Sequence, residues 1–307
     1  MTPPIVQPAS AVGTTWTDYL RPLRFDHWIK NLVVPVGSAL ALVAARVVPD
    51  GTIAGAVVLA FLISGLVSSV NYTLNEILDA PFDARHPVKK ARPIPSGRVR
   101  IAPLVALASG LTLVTFFAAT FWFRPAFVAA NLALFVAALL YNLPPLRFKD
   151  WLFLDAVVES LTNPIRITIG WYSVAPGSAL PPVDLLLAVW AFGAFLMTGK
   201  RLAEFRLLGP LAPAYRPTFA AYSVRGLLAA QLGYGVAGLV ALAWLFDRER
   251  PRVLWALPLV AGLLAWALAM TFERDSPLVD PERLYRRPGF LVVAVGVFVA
   301  MLVLALS

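Results

Sequence analysis

Long apolar runs recur along this chain at roughly 28–46, 53–78, 101–121, 125–142, 152–173, 182–203, 222–246, 252–271 and 289–306. About 20 apolar residues in a helix cross a bilayer, so runs of this length and number predict an all-α polytopic membrane protein of nine transmembrane helices. Composition agrees, with 59% of the 307 residues hydrophobic, only 14% charged and a mean hydropathy of +0.75. A soluble enzyme is excluded, the lipid bilayer is the first expected partner, and nucleic acid is not expected among the others.

Residues 1–20 read as a flexible N-terminal tail. Pro3, Pro4 and Pro8 occur there without the basic start and adjacent apolar core of a cleaved signal. Residues 21–307 read as a single membrane domain, because no connecting loop is long enough to hide a soluble one.

Loop charge sets the expected orientation. With the N-terminus inside, Arg21, Arg24, Lys30, the group from Arg85 to Arg100, Arg147, Lys149, the group from Lys200 to Arg225, and Arg274 to Arg287 share one side. The other side holds only Arg46, Arg124, Arg248, Arg250 and Arg252. The positive-inside rule then predicts a cytoplasmic N-terminus and an external C-terminus in the cell membrane. Asp79, Asp83, Asp150, Asp155, Glu159 and Glu204 fall at or just inside the cytoplasmic helix ends, so any chemistry faces the cytoplasm.

The chain has no cysteine and only two histidines, His27 and His86. Thiolate nucleophiles, disulfides and multi-histidine metal sites are thereby excluded. Carboxylates, amides, Lys, Arg and Tyr remain, a vocabulary that favours an oxygen-ligated cation such as Mg2+.

The densest ionisable stretch runs from Asn75 to Gly97, acids first and bases after. Asn71, Asn75 and Asp79 recur every four residues and so share a helix face. Pro81 disfavours helix at Ala80, which predicts that the helix ends near Asp79 and that Asp83 lies on an irregular extension. Asp79, Asp83 and Asn75 then form a candidate Mg2+ site, unless they only cap the helix or pair with Arg85. Lys89, Lys90 and Arg92 could neutralise a second anionic group, or belong to a solvated loop.

Asp155, Glu159, Asn163 and Arg166 place a polar stripe on the fifth predicted span, which must face the bundle interior. Asp155 and Glu159 could hold a metal or pair with Lys149 and Arg166, and Pro164 suggests a kink. In Gly199-Lys200-Arg201-Leu202-Ala203-Glu204, Lys200 and Glu204 lie one turn apart, and the adjacent Lys200 and Arg201 suit phosphate capture. Arg216 and Tyr222 could line the same loop.

These residues resemble the UbiA superfamily of intramembrane prenyltransferases. Its signature Asn-Asp-x-x-Asp-x-x-x-Asp is matched by Asn75, Asp79 and Asp83, with Glu76 where the family has Asp. The resemblance covers almost the whole chain, including Arg21-Pro22 and Trp28-Ile29-Lys30-Asn31. It implies a nine-helix bundle with a cytoplasmic-side polar pocket and a lateral opening to lipid, and it adds Glu76 to the metal ligands and Lys30 to the substrate-binding set.

His86-Pro87-x-Lys89-Lys90-x-Arg92-Pro93, Arg166 and Gly199-Lys200-Arg201-x-x-Glu204 resemble the polyprenyl-phosphate phosphoribosyltransferase branch. That branch joins a polyprenyl phosphate to phosphoribosyl diphosphate and releases pyrophosphate. The resemblance implies catalytic roles for Asp79, Asp83, Asp155 and Lys200. It also implies phosphate orientation by Lys89, Lys90, Arg92, Lys200 and Arg201, and ribose or second-cation binding by Asp155, Glu159 and Arg166. Asn163 lies in a segment, Thr162 to Trp171, unlike the small-residue run of the phosphoribosyl enzymes, which leaves room for another acceptor. The alternative reaction moves a prenyl group from a prenyl diphosphate to an aromatic or other lipophilic acceptor; a transporter or lipid-binding protein is the reading from a different class.

Overall fold

The computed structural model describes residues 15–84, 89–175, 179–215, 217–279, 284 and 287–306, with Lys89, Ala214, Tyr215, Pro217 and Leu306 described by backbone only. Every regular element among them is helical. A short α1 (Trp16–Leu20) and two 3-10 segments, Arg21–Leu23 and Phe25–Leu32, lead into α2 (Val33–Ala45). There follow α3 (Gly51–Asp83), α4 (Ile101–Trp122), α5 (Pro125–Asn142), α6 (Leu154–Val174) and α7 (Val183–Leu208). The chain continues through a brief α8 (Ala212–Tyr215) to α9 (Val224–Glu249), α10 (Leu257–Thr271) and α11 (Pro288–Leu306).

Eight segments among the described residues are long and apolar enough to cross a membrane. Large apolar side chains stay exposed on their outer faces, Phe117 and Trp122 on α4 and Trp244 on α9 among them. Water does not tolerate a surface of this kind and lipid does, so the chain is an integral membrane protein. The stretch expected as the fifth span is α6, which is not one of the eight. It is long enough at 21 residues, but Asp155, Glu159 and Arg166 lower its apolar character. Its neighbours compensate: α6 packs against α2, α3, α5 and α7.

The α2–α6 contact depends on glycine at both helices. A Cβ on Gly170 would stand 1.9 Å from the Val34 carbonyl oxygen, and one on Gly37 would stand 2.2 Å from that of Ile167. Only hydrogen at these two positions lets the backbones touch. Ser38 donates to the Gly170 carbonyl at 3.0 Å and so ties the pair together. Apolar clusters lie on either side of this junction, one around Val34, Ile63, Phe127 and Ile169, the other around Leu185, Leu242, Val253 and Val297.

The expected break at Pro81 does not occur, because α3 continues without interruption to Asp83. Proline removes one helical donor, but so near the helix end the loss is confined to a single bond to the Ile77 carbonyl. Tertiary contacts favour the continued turn. Phe82 lies under the Arg147 guanidinium, 5.0 Å from ring centre to charge, and Arg92 Nη1 reaches Asp83 Oδ2 at 2.5 Å. Asp79 and Asp83 therefore stand on consecutive turns of one helix. Pro164 likewise lies inside a continuous α6.

Candidate active site

A cavity of about 240 Å3 opens between the 3-10 segment before α2 and helices α3, α5, α6 and α7. Helical spacing selects its lining. Ser68, Asn71, Tyr72 and Asn75 come from successive turns of α3, and Glu159, Thr162, Asn163 and Arg166 from one face of α6. Lys30 and Lys200 close it from the 3-10 segment and α7. Three cationic side chains, four carboxamides (Asn142 of α5 among them) and one carboxylate thus share a small space. Arg166 is oriented by its Nε, which donates to Asn31 Oδ1 at 2.9 Å, while Ser68 donates to the same oxygen at 3.1 Å.

Behind this cavity lies a buried ion network centred on Arg201, only 2% exposed. Its Nε donates to Asp155 Oδ2 at 2.6 Å, Nη1 to Glu204 Oε2 at 2.9 Å, and Nη2 to Glu159 Oε2 at 3.3 Å. Tyr141 donates to the same Glu159 oxygen at 2.9 Å. Tyr222 donates to Asp155 Oδ1 at 2.6 Å and accepts the Phe153 amide at 2.9 Å. An unpaired buried charge is very costly, and here one guanidinium holds three carboxylates from two helices. Its reach fixes Glu159 at the cavity wall.

The acid-rich end of α3 forms a third cluster. Lys149, from the 3-10 turn Phe148–Asp150, donates to Asp79 Oδ1 at 2.5 Å, Asn142 Oδ1 at 2.9 Å and Asn75 Oδ1 at 3.1 Å. Arg147 Nη2 reaches Asp79 Oδ1 at 2.9 Å, and its Nε reaches Asp150 at 2.7 Å. Asn75 belongs both to this cluster and to the cavity wall. Glu76 is buried one residue on, and its Oε1 has no hydrogen-bond partner. Asn75, Glu76, Asp79 and Asp83 are all hard oxygen donors, and the orphaned Glu76 oxygen suits a cation. No group of three or more acids or histidines placed to hold a metal occurs among the described residues. Magnesium commonly takes only one or two protein carboxylates, with substrate phosphates completing its shell, so this donor set fits it.

Several placements correct the expectations from sequence. Arg201, expected to orient phosphate, turns its guanidinium to Asp155, Glu159 and Glu204, because three carboxylates surround it. Arg92 pairs with Asp83, and Lys90 is exposed. Asp155 takes Arg201 and Tyr222 as partners. Arg216 and the Lys89 side chain lie outside the described residues. Sequence reasoning did not single out Lys149, Arg147, Tyr141 or Asn31 as site residues. The one available signal was the Arg147–Lys149 pair immediately before the polar helix.

The model of the UbiA prenyltransferase family matches residues 32–287. The chain belongs to that family. This UbiA protein is 30% identical over 245 residues to the decaprenyl-phosphate phosphoribosyltransferase of Mycolicibacterium smegmatis, a match covering 78% of this chain and 73% of that one. The enzyme of the same name from Mycobacterium tuberculosis is 28% identical over 265 residues, with 81% of this chain and 82% of that one covered. Among solved structures, a UbiA homolog from Archaeoglobus fulgidus bound to GPP and Mg2+ superposes with a TM-score of 0.70 at 17% identity, over 94% of this chain and 99% of that one. The fold is therefore that of UbiA proteins, and the chain is a transferase.

Proposed function

We propose that this UbiA protein joins a polyprenyl phosphate to phosphoribosyl diphosphate with release of pyrophosphate. One observation carries the reading: Lys30, Arg166 and Lys200 line one cavity together with Asn71, Asn75, Asn142, Asn163 and Glu159. Cations suit phosphates, and amides with a carboxylate suit ribose hydroxyls. A site that shields an allylic cation needs aromatic faces instead, and the aromatic rings lining this cavity are those of Tyr72 and Tyr141. The relatives named for phosphoribosyl transfer point the same way.

In this reading an oxygen of the lipid phosphate attacks the anomeric carbon as the bond from that carbon to the diphosphate oxygen breaks. The lipid phosphate is already anionic, so no general base is required. Lys30, Lys200 and Arg166 bind and orient the anionic groups, and Glu159 accepts from ribose hydroxyls while the Arg201 network holds it in place. Asp79 and Asp83, with Asn75 and Glu76, would hold Mg2+, which supplies charge neutralisation to the departing diphosphate.

The isoprenoid part has room in a second, apolar cavity of about 410 Å3, bordered by Leu40, Phe192, Phe246 and Met301. The length of α6 and its packing among α2, α3, α5 and α7 support counting it with the other eight as nine spans of a single domain from residue 21 onward. Loop charge sets the N-terminus in the cytoplasm, the C-terminus outside and the polar cavity open to the cytoplasmic side of the cell membrane.

The test is incubation of the purified chain with labelled phosphoribosyl diphosphate and a panel of polyprenyl phosphates in Mg2+. A labelled lipid and free pyrophosphate are the expected products. No labelled lipid, together with turnover of prenyl diphosphates, overturns the proposal in favour of prenyl transfer. Substrate movement in sealed vesicles without turnover overturns it in favour of transport.

A further inference from the structure

Lys149 sits in a cage of oxygen atoms built for a cation. It is 5% exposed, and its ammonium touches one carboxylate oxygen, on Asp79, and two amide oxygens, on Asn75 and Asn142, all within 3.1 Å. That is the donor chemistry a magnesium ion takes from protein. Two of the three donors are residues read above as ligands of the ion. Arg147 brings a second fixed positive charge to the same Asp79 oxygen. A divalent ion seated on that oxygen would meet the ammonium at contact range, where repulsion in a half-buried site is strong.

We propose that Lys149 is a tethered cation filling one of two cation places at the end of α3. The site then takes a single divalent ion among Asp83, where the ion competes with Arg92, the second Asp79 oxygen and the unpartnered Oε1 of Glu76, and Lys149 provides the remaining fixed charge beside the diphosphate. This inference rests on the reading of Asp79 and Asp83 as metal ligands. It gives a functional reason for a lysine that is held 5% exposed among oxygen atoms at the end of α3.

The experiment counts Mn2+ ions bound to the full chain in detergent, from the loss of the free-ion EPR signal, with no substrate present. Wild type is expected to bind a single ion, and Asp83→Asn to lose it. Lys149→Met and Lys149→Gln are each expected to gain a second ion. Both leave Asp79 paired with Arg147, and thermal unfolding checks that the fold persists; the glutamine variant keeps a hydrogen bond should the methionine variant fail to fold. An ion count that stays at one in the Lys149 variants, or that is already two in wild type, overturns the role of Lys149. Absence of binding to wild type, or binding indifferent to Asp83→Asn, overturns the metal reading of the α3 end and takes the Lys149 inference with it.

Discussion

Arg201 Nε lies 2.6 Å from Asp155 Oδ2, and the two side chains are 2% and 0% exposed. The pair joins α7 to α6 at the depth where Glu159 meets the cavity. Arg201→Met leaves Asp155, Glu159 and Glu204 without their shared partner. It is expected to cost about 3 kcal/mol or more of stability, read as a lowered unfolding temperature in detergent. Arg201→Lys keeps the charge but not the planar fork, so it should recover only part of that loss.

Tyr222 connects the Asp155 carboxylate to the Phe153 amide through one hydroxyl. Tyr222→Phe removes both bonds and keeps the ring, which packs edge-on against Phe153. A loss of about 1–2 kcal/mol is expected. Turnover should fall with it only as far as Asp155 loosens its hold on Arg201. A variant as stable as wild type would mean that the hydroxyl contributes no net free energy there.

Asp79→Asn and Asp83→Asn are expected to reduce product formation by about 100-fold or more, with the fold retained at a lowered unfolding temperature, because Asp79 pairs with Lys149 and Arg147 and Asp83 pairs with Arg92. Chelation should abolish turnover, and Mg2+ or Mn2+ should restore it. Near-normal turnover in both variants would remove the end of α3 from the chemistry.

Gly170→Ala places a methyl group against the Val34 carbonyl, a backbone atom that cannot step aside as a side chain can. The expected cost is about 2 kcal/mol or more. Gly110, where an added Cβ would meet open space, serves as the control, and its alanine variant should unfold at or above the wild-type temperature.

What could be read from sequence was whatever is local along the chain. Apolar runs long enough to span a bilayer marked the helices, and the spacing of Glu159, Asn163 and Arg166 marked the face of α6 that lines the cavity. Partners from separate helices have no such signature. Nothing in the periodicity around Asp79 announces that Lys149 and Arg147 reach it, and nothing near Lys200-Arg201 shows that the first residue faces the cavity while the second turns to Asp155. At Pro81 a valid local preference was outweighed by contacts to Arg147 and Arg92 made from elsewhere in the chain.

The polar stripe of α6 also constrains how the protein is made. Asp155 and its partner Arg201 are 46 residues apart, so during synthesis the acid reaches the bilayer before the arginine exists. A helix bearing Asp155, Glu159 and Arg166 partitions poorly into hydrocarbon by itself. Its charges find their partner only once α7 has been made, so the two helices are expected to assemble as a unit, with Arg201 set among Asp155, Glu159 and Glu204.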